Sequence, residues 1–158
     1  MGKVMTLPQA VAYRAQLRTA GRRVVLTNGH FDLLHVGHLD YLEKARALGD
    51  ALIVGVNQDS TTLQHKGPGR PIVPDAERAR LLAALVPVDA VVLFAEPTAD
   101  ALIEQLRPDV YVKGGDYAYK PLPERAAAAR VGAQVALIDY LPGHSTTALI
   151  ERIRALPR

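Results

Sequence analysis

His35 and His38 stand three residues apart, with Gly37 beside the second, in the segment Asn28-Gly-His-Phe-Asp-Leu-Leu-His-Val-Gly-His38. An imidazole donates hydrogen bonds at neutral pH, so two of them beside a turn suit the oxygens of a phosphate. His38 falls at a predicted helix start, where free backbone N–H groups and the helix dipole favour an anion. Gly37 removes a side chain where a phosphate must come close. Taken alone, the pair has a plainer reading, with one imidazole capping the helix and the other packing. Zinc is a third in principle, but no third ligand is placed nearby.

Other residues add cations and hydroxyls. Lys66 lies in a Gly/Pro-rich stretch, suited to a mobile cover that brings a cation onto a phosphate as a site closes. A solvated loop lysine is its other reading. Arg78 falls on the following helix and has the fork for a bidentate phosphate clamp, or for a surface ion pair. Ser145-Thr146-Thr147 opens a helix, which gathers hydroxyls and backbone donors for further phosphate oxygens or simply caps the helix. Lys113-Gly-Gly-Asp116 follows a strand, where the glycines, Gly115 among them, permit close approach of a ligand or form a simple turn.

These groups need elements that bring them together. Residues 1–21 form a leading segment, with a helix over 7–20 that stops at Gly21. Residues 23–28 are a short apolar run feeding the turn at Gly29. Over 37–48, Leu39, Leu42, Ala45 and Leu48 make one helical stripe. A second strand spans 51–56. Residues 58–73 are polar and hold Gly67, Pro68, Gly69 and Pro71, which predicts an exposed, mobile loop. Then follow a helix over 75–85, a strand over 89–94 and a helix over 98–106 capped by Thr98. A strand over 110–113, a helix over 124–130, a strand over 134–138 and a helix over 145–156 complete the chain.

Continuous apolar strands separated by helices predict a single α/β domain over residues 1–158, a doubly wound, five-stranded parallel sheet. Ligands of such sheets bind beyond the carboxyl ends of the strands, where strand order reverses. His35, His38, Lys113 and Ser145 all follow strands of this sheet.

Composition narrows the classes. The chain has no cysteine, which excludes disulfides, Cys-ligated zinc and thiol catalysis. The net charge of +3 comes from scattered Lys and Arg, and aromatics are 5%, few for stacking bases. That balance could suit nucleic acid, and a small anionic ligand explains it equally well, so the charge alone decides nothing; no nucleic-acid partner is expected. No run approaches a membrane span and residues 1–8 lack a signal-peptide layout, so no membrane partner and a cytoplasmic location are expected.

Gly29-x-Phe31-Asp32-x-x-His35-x-Gly37-His38 resembles the signature of the cytidylyltransferase-like nucleotidyltransferase family. Within it, the chain resembles the branch that makes ADP-heptose from heptose 1-phosphate. The match continues, in order and over nearly the whole chain, through Lys66-Gly67-x-x-Arg70-Pro71, Glu77-Arg78, Val88-Asp89, Val112-Lys-Gly-Gly-Asp-Tyr117 and Gly143-x-Ser-Thr-Thr147. The resemblance implies a Rossmann-like nucleotidyltransferase fold and transfer of AMP from ATP to a sugar phosphate, with release of pyrophosphate. It also implies a homodimer and a Mg²⁺ ion that bridges phosphate oxygens with few protein ligands.

Residue by residue, the resemblance makes His35, His38, Lys66 and Arg78 the catalytic candidates. It makes Asn28, Gly29, His30, Phe31, Gly37, Lys113, Gly115, Asp116, Ser145, Thr146 and Thr147 the nucleotide-binding ones. Ser145–Thr147 would hold the β- and γ-phosphates and Asp116 the ribose, with Asp32 bracing the phosphate turn. Tyr117, Tyr140 and His144 border the expected acceptor pocket. No protein metal ligand is expected.

Three departures bear on the acceptor. The glycerol-phosphate cytidylyltransferases of the family carry an arginine where this chain has Tyr140, while the Lys-Gly-Gly-Asp-Tyr block favours the heptose branch and ATP. Leu122-Pro-Glu-Arg-Ala126 replaces a Gly-containing stretch of that branch, and His30 and His144 stand where it often has cysteines. A cytidylyltransferase acting on glycerol 3-phosphate or another small phosphorylated metabolite is therefore the alternative within the family. A nucleotide-binding protein without turnover and a nucleic-acid-binding domain with steep salt dependence are the alternatives outside it. The joint presence of both histidines, Lys66, Arg78 and the Ser-Thr-Thr block favours the enzyme.

Overall fold

Unbroken aliphatic runs fill the middle of the sheet because both of its faces are covered. In β2 (Val24–Gly29) and β3 (Ala51–Asn57), Val24 to Leu26 and Leu52 to Val54 have no solvent exposure. The computed structural model describes residues 1–158. Around this pair lie β4 (Ala90–Phe94), β5 (Val110–Gly114) and β6 (Gln134–Ile138). A sixth strand, β1 (Lys3–Met5), completes a parallel sheet of order β1-β4-β3-β2-β5-β6.

Five strands were expected and six are present. Lys3-Val-Met5 is short, lies at an edge and has no apolar run, so its strand identity comes only from pairing with Ala90 to Val92. Alternate residues of each strand face opposite sides. Val24 and Leu26 meet α1 (Leu7–Thr19), α5 (Asp100–Leu106) and α6 (Arg125–Arg130), whereas Val25 meets α2 (Val36–Arg46) and α4 (Asp75–Ala83). The sheet is therefore doubly wound. Strand order reverses between β2 and β5, so a crevice opens beyond their carboxyl ends.

Two local expectations change. Residues 59–66 are not loop: Asp59–Lys66 forms α3, and only 67–74 is irregular. The Asp59 N–H donates to the Asp75 carboxylate at 2.9 Å, and the Asp75 N–H donates to the Asp59 carboxylate at 2.8 Å. Two helix starts thus cap one another, and the polar look of Asp59-Ser-Thr-Thr hides it. Thr98 does not cap α5 either. Its hydroxyl donates to the Asp100 carboxylate, and Glu124 Oε1 accepts from the Ala99 N–H at 3.2 Å instead. The last helix, α7, spans Thr146–Arg154 behind a Ser145 cap.

Candidate active site

The turn between β2 and α2 is strained. Phe31 (φ 49°) and Leu33 (φ 29°) adopt left-handed backbone without being glycine, which persists only where the surroundings over-determine it. Asp32 does so. Its buried carboxylate accepts from the N–H groups of Leu33 (3.2 Å), Ile72 (2.9 Å) and Val73 (3.0 Å) and from Arg70 Nε (2.9 Å). Burial alone would raise this carboxyl, but the Ile72 and Val73 N–H groups and the Arg70 guanidinium outweigh it and hold it below the usual carboxylate range.

The two histidines cap α2 together. His35 Nδ1 accepts from the Gly37 N–H at 3.1 Å, and His38 Nδ1 accepts from the His35 N–H at 3.3 Å. This is a capping box built from imidazoles. With each Nδ1 accepting, the hydrogen of each neutral ring sits on Nε2. Burial, reinforced by His35, pushes His38 down to about 4; burial, then His144, lowers His35. The rings stack with centroids 3.9 Å apart. Capping and ligand binding are thus compatible: the Nδ1 atoms fix the helix start, and the Nε2–H groups are left as neutral donors. Gly37 serves the same packing, since an added Cβ would lie 2.9 Å from the His35 ring.

α7 supplies the facing wall. Ser145 Oγ accepts from the Ala148 N–H at 3.0 Å, and the Thr146 hydroxyl donates to the Asp32 carbonyl at 3.3 Å, which ties this helix start to the histidine turn. Between the two runs a cleft of about 720 Å³, lined among others by His35, His38, Ser145, Thr146 and Thr147. That volume suits a nucleotide-sized ligand. Asn28, Gly29, His30, Phe31, Gly37, Lys66, Lys113, Asp116, Tyr117, Tyr140 and His144 line it too.

Within the cleft the residues differ. Lys66 ends α3 rather than riding the loop, and it is exposed. His30 is engaged at both ring nitrogens, by Thr62 Oγ1 (2.9 Å) and His65 Nδ1 (3.4 Å), and burial with the nearby charge of Lys66 pushes it down to about 3. Asn28 accepts from the buried Tyr111 hydroxyl. Asp116 pairs with Lys120 at 2.6 Å. Burial lowers Lys113, whose ammonium sits 5.3 Å from the centre of the Tyr117 ring. Tyr140 stacks on Tyr41 at 6.1 Å, and burial followed by Asp116 pushes its phenol up to about 12.

Two sequence-selected residues stand outside the cleft. Arg78 is 1% exposed and its fork is spent inside the protein, on the carbonyls of Val73 (2.9 Å), Asn57 (2.9 Å) and His30 and on the Asp59 carboxylate (2.8 Å). It is a clamp for the polypeptide rather than for phosphate. Gly115 gives room to the Asp139 carboxylate, not to a ligand; of the two glycines in the Lys-Gly-Gly-Asp block it is Gly114 that lines the cleft, and Tyr140 lies across it.

Comparison with known proteins places this architecture. Residues 26–152 match the family described as cytidylyltransferase-like. The chain belongs to this family. It is 52% identical over 136 residues, 86% of this chain and 28% of the relative, to the bifunctional protein HldE of Syntrophotalea carbinolica. To the bifunctional protein HldE of Geotalea uraniireducens it is 47% identical over 152 residues, 96% of this chain and 31% of the relative. It therefore spans less than a third of the length of these relatives. Among solved structures, the lipopolysaccharide core biosynthesis protein from Thermoplasma volcanium superposes with a TM-score of 0.62 at 29% identity, covering 77% of this chain and 98% of that one. Pantothenate synthetase from Thermus thermophilus shares the fold alone, with a TM-score of 0.63 at 18% identity over 89% of this chain and 62% of that one.

This cytidylyltransferase-like cleft also holds residues that sequence reasoning passed over. Asn57, His65, Thr98 and Glu124 line it. Glu124 falls in the Leu122–Ala126 stretch that departs from the heptose branch, but nothing in its own type or spacing marks it as a cleft residue. No three histidine or carboxylate side chains converge to hold a metal ion, and no helix is long and apolar enough to cross a membrane.

Proposed function

We propose that this chain transfers AMP from ATP to the phosphate of a sugar phosphate, heptose 1-phosphate, and releases pyrophosphate. The observation that carries this reading is the paired imidazole cap: His35 and His38 keep their Nε2–H groups free in one cleft with the Ser-Thr-Thr start of α7. Identity of about half to the HldE proteins across most of the chain supports the choice of branch.

An oxygen of the acceptor's phosphate forms a bond to the α-phosphorus of ATP while the bond from that phosphorus to the leaving pyrophosphate oxygen breaks. The nucleophile is already an anion, so no general base is needed. The protein's task is alignment and cancellation of developing charge. His35 and His38 donate to the α- and β-phosphates, Lys66 brings a cation from the end of α3, and the start of α7 receives the pyrophosphate. Asp116 serves the ribose.

Magnesium, expected from the resemblance, would supply further charge neutralisation at the phosphates. The donor set does not suit a protein-held ion, because Asp32 is saturated by its own bonds and no ligand cluster exists. It would arrive on phosphate oxygens with its waters. A homodimer is supported by α7, of which no residue is buried and whose Ile153 is exposed. A cytoplasmic location follows from the need for ATP.

The test is a pyrophosphate-release screen that crosses ATP and CTP with heptose 1-phosphate, glycerol 3-phosphate and other phosphosugars. Turnover with ATP and a heptose phosphate is expected. Turnover with CTP alone would overturn the adenylyl assignment, and tight ATP binding without any release would leave a non-catalytic binder.

A further inference from the structure

Glu124 stands just before α6, is only 4% exposed and yet forms part of the cleft wall. Its Oε1 caps α5 by accepting from the Ala99 N–H. Its Oε2 is buried and no donor of the protein reaches it, the one side-chain polar atom of the chain in that position. A buried carboxylate oxygen without a donor is costly, and folded proteins keep such groups few. The terminal torsion of a glutamate is soft, so one oxygen can hold Ala99 while the other turns to the cleft.

Its place in the fold says what the missing donor belongs to. The cleft crosses the rim of the sheet. His35 and His38 sit on the face of α2, whereas Glu124 and Thr98 sit on the opposite face, at the starts of α6 and α5. With the triphosphate on the histidine side, the Glu124 stretch is left to the second reactant. Lys113 shares that stretch, close enough for the Glu124 charge to favour its ammonium form, and it makes no ion pair. An ammonium beside a carboxylate matches a sugar phosphate, the cation toward phosphate and the carboxylate toward a hydroxyl.

We propose that Glu124 is a specificity-determining residue for the acceptor, its free carboxylate oxygen accepting a hydrogen bond from a sugar hydroxyl. The assignment rests on the transfer reaction proposed above. It extends the acceptor pocket expected at Tyr117, Tyr140 and His144 to Glu124, inside the Leu122–Ala126 stretch that departs from the heptose branch.

Glu124→Gln tests it, because the amide keeps an oxygen for Ala99 and turns the other atom into a donor. The KM for the sugar phosphate should rise about ten-fold, the usual loss for one charge-assisted hydrogen bond, with kcat, the KM for ATP and the Tm unchanged. A panel of monodeoxy sugar phosphates should contain one whose kcat/KM falls about ten-fold with the wild type and no further with E124Q, as expected when both changes remove the same contact. An unchanged acceptor KM in E124Q means that Glu124 only caps α5, and a raised KM for ATP alone puts it on the nucleotide side; either overturns the proposal. Should E124Q not fold, the wild-type panel decides, since no single costly hydroxyl also overturns it. Absence of wild-type turnover with every phosphosugar would instead sink the transfer reaction, and this inference with it.

Discussion

Asp32 and Arg70 are joined at 2.9 Å, with the carboxylate 1% and the guanidinium 18% exposed. Their bond closes the 67–74 loop onto the turn that carries His35 and His38. The same carboxylate takes the N–H groups of Ile72 and Val73, so one buried charge holds two backbone segments in register. The left-handed Phe31 and Leu33 depend on that closure.

Asp32→Ala should therefore destabilise the fold by about 3–5 kcal/mol, the cost of leaving a buried partner charge and its donors unpaired. Asp32→Asn should cost less, because an oxygen remains for Ile72 or Val73. Urea denaturation of the three proteins checks both. A loss below about 1 kcal/mol in the alanine variant would mean that the loop is held by something else.

Arg78 is expected to act on stability before chemistry. Its four acceptors are three carbonyls and Asp59, all within the protein. Arg78→Ala strands them and should cost about 3–5 kcal/mol. In whatever fraction folds, the dissociation constant for ATP should stay near the wild-type value. A stable Arg78→Ala protein that binds ATP poorly would restore the phosphate clamp that residue type and position suggest.

What is legible in the sequence divides along the range of the interaction. β2 to β5 are readable because each is a run of aliphatic residues covered on both faces or nearly so, and β6 because its Val-Ala-Leu-Ile run is apolar even though the strand is an edge with only Ile138 buried. β1 is not, because Lys3-Val-Met5 becomes a strand only through its register with β4. α3 is missed because its cap comes from Asp75, sixteen residues on. The histidine pair is readable because its bonds run over two and three residues. The roles of Arg78 and Glu124 are not, since all of their partners but the Asp59 carboxylate are backbone groups, and a carbonyl or an N–H carries no mark in a sequence.

His38 ties catalysis to pH. Loss of one transition-state donor predicts that His38→Ala lowers kcat by about 10²–10³, with ATP affinity less affected. Its depressed pKa gives a second readout. The ordinary histidine value is 6.5 and the folded value is about 4, so the unfolded chain binds a proton that the folded one refuses. Stability from this group is complete above the ordinary value and is lost as pH falls toward 4. His30, pushed down to about 3, acts with the same sign. The wild-type Tm should drop between about pH 7 and pH 5, and less so for His38→Gln, whose amide oxygen still accepts from the His35 N–H. Parallel Tm curves for the two proteins would show that His38 takes its proton as easily folded as unfolded.

Gly114 and Tyr140 test whether the cleft's far wall is a packed unit. An added Cβ at Gly114 would overlap the hydroxyl and ring of Tyr140, although the backbone there has no left-handed strain. Tyr140 as a residue is 57% exposed, so its ring has room to swing out, giving up its stack on Tyr41. Gly114→Ala should thus cost about 1–3 kcal/mol, the ordinary cost of overpacking, and displace the Tyr140 side chain from the cleft. In a Tyr140→Ala background the same substitution meets no ring and should cost close to nothing. The difference between the two backgrounds is the coupling, and denaturation of the four proteins of the cycle measures it. Additive losses would place the penalty in the backbone of β5 rather than in Tyr140.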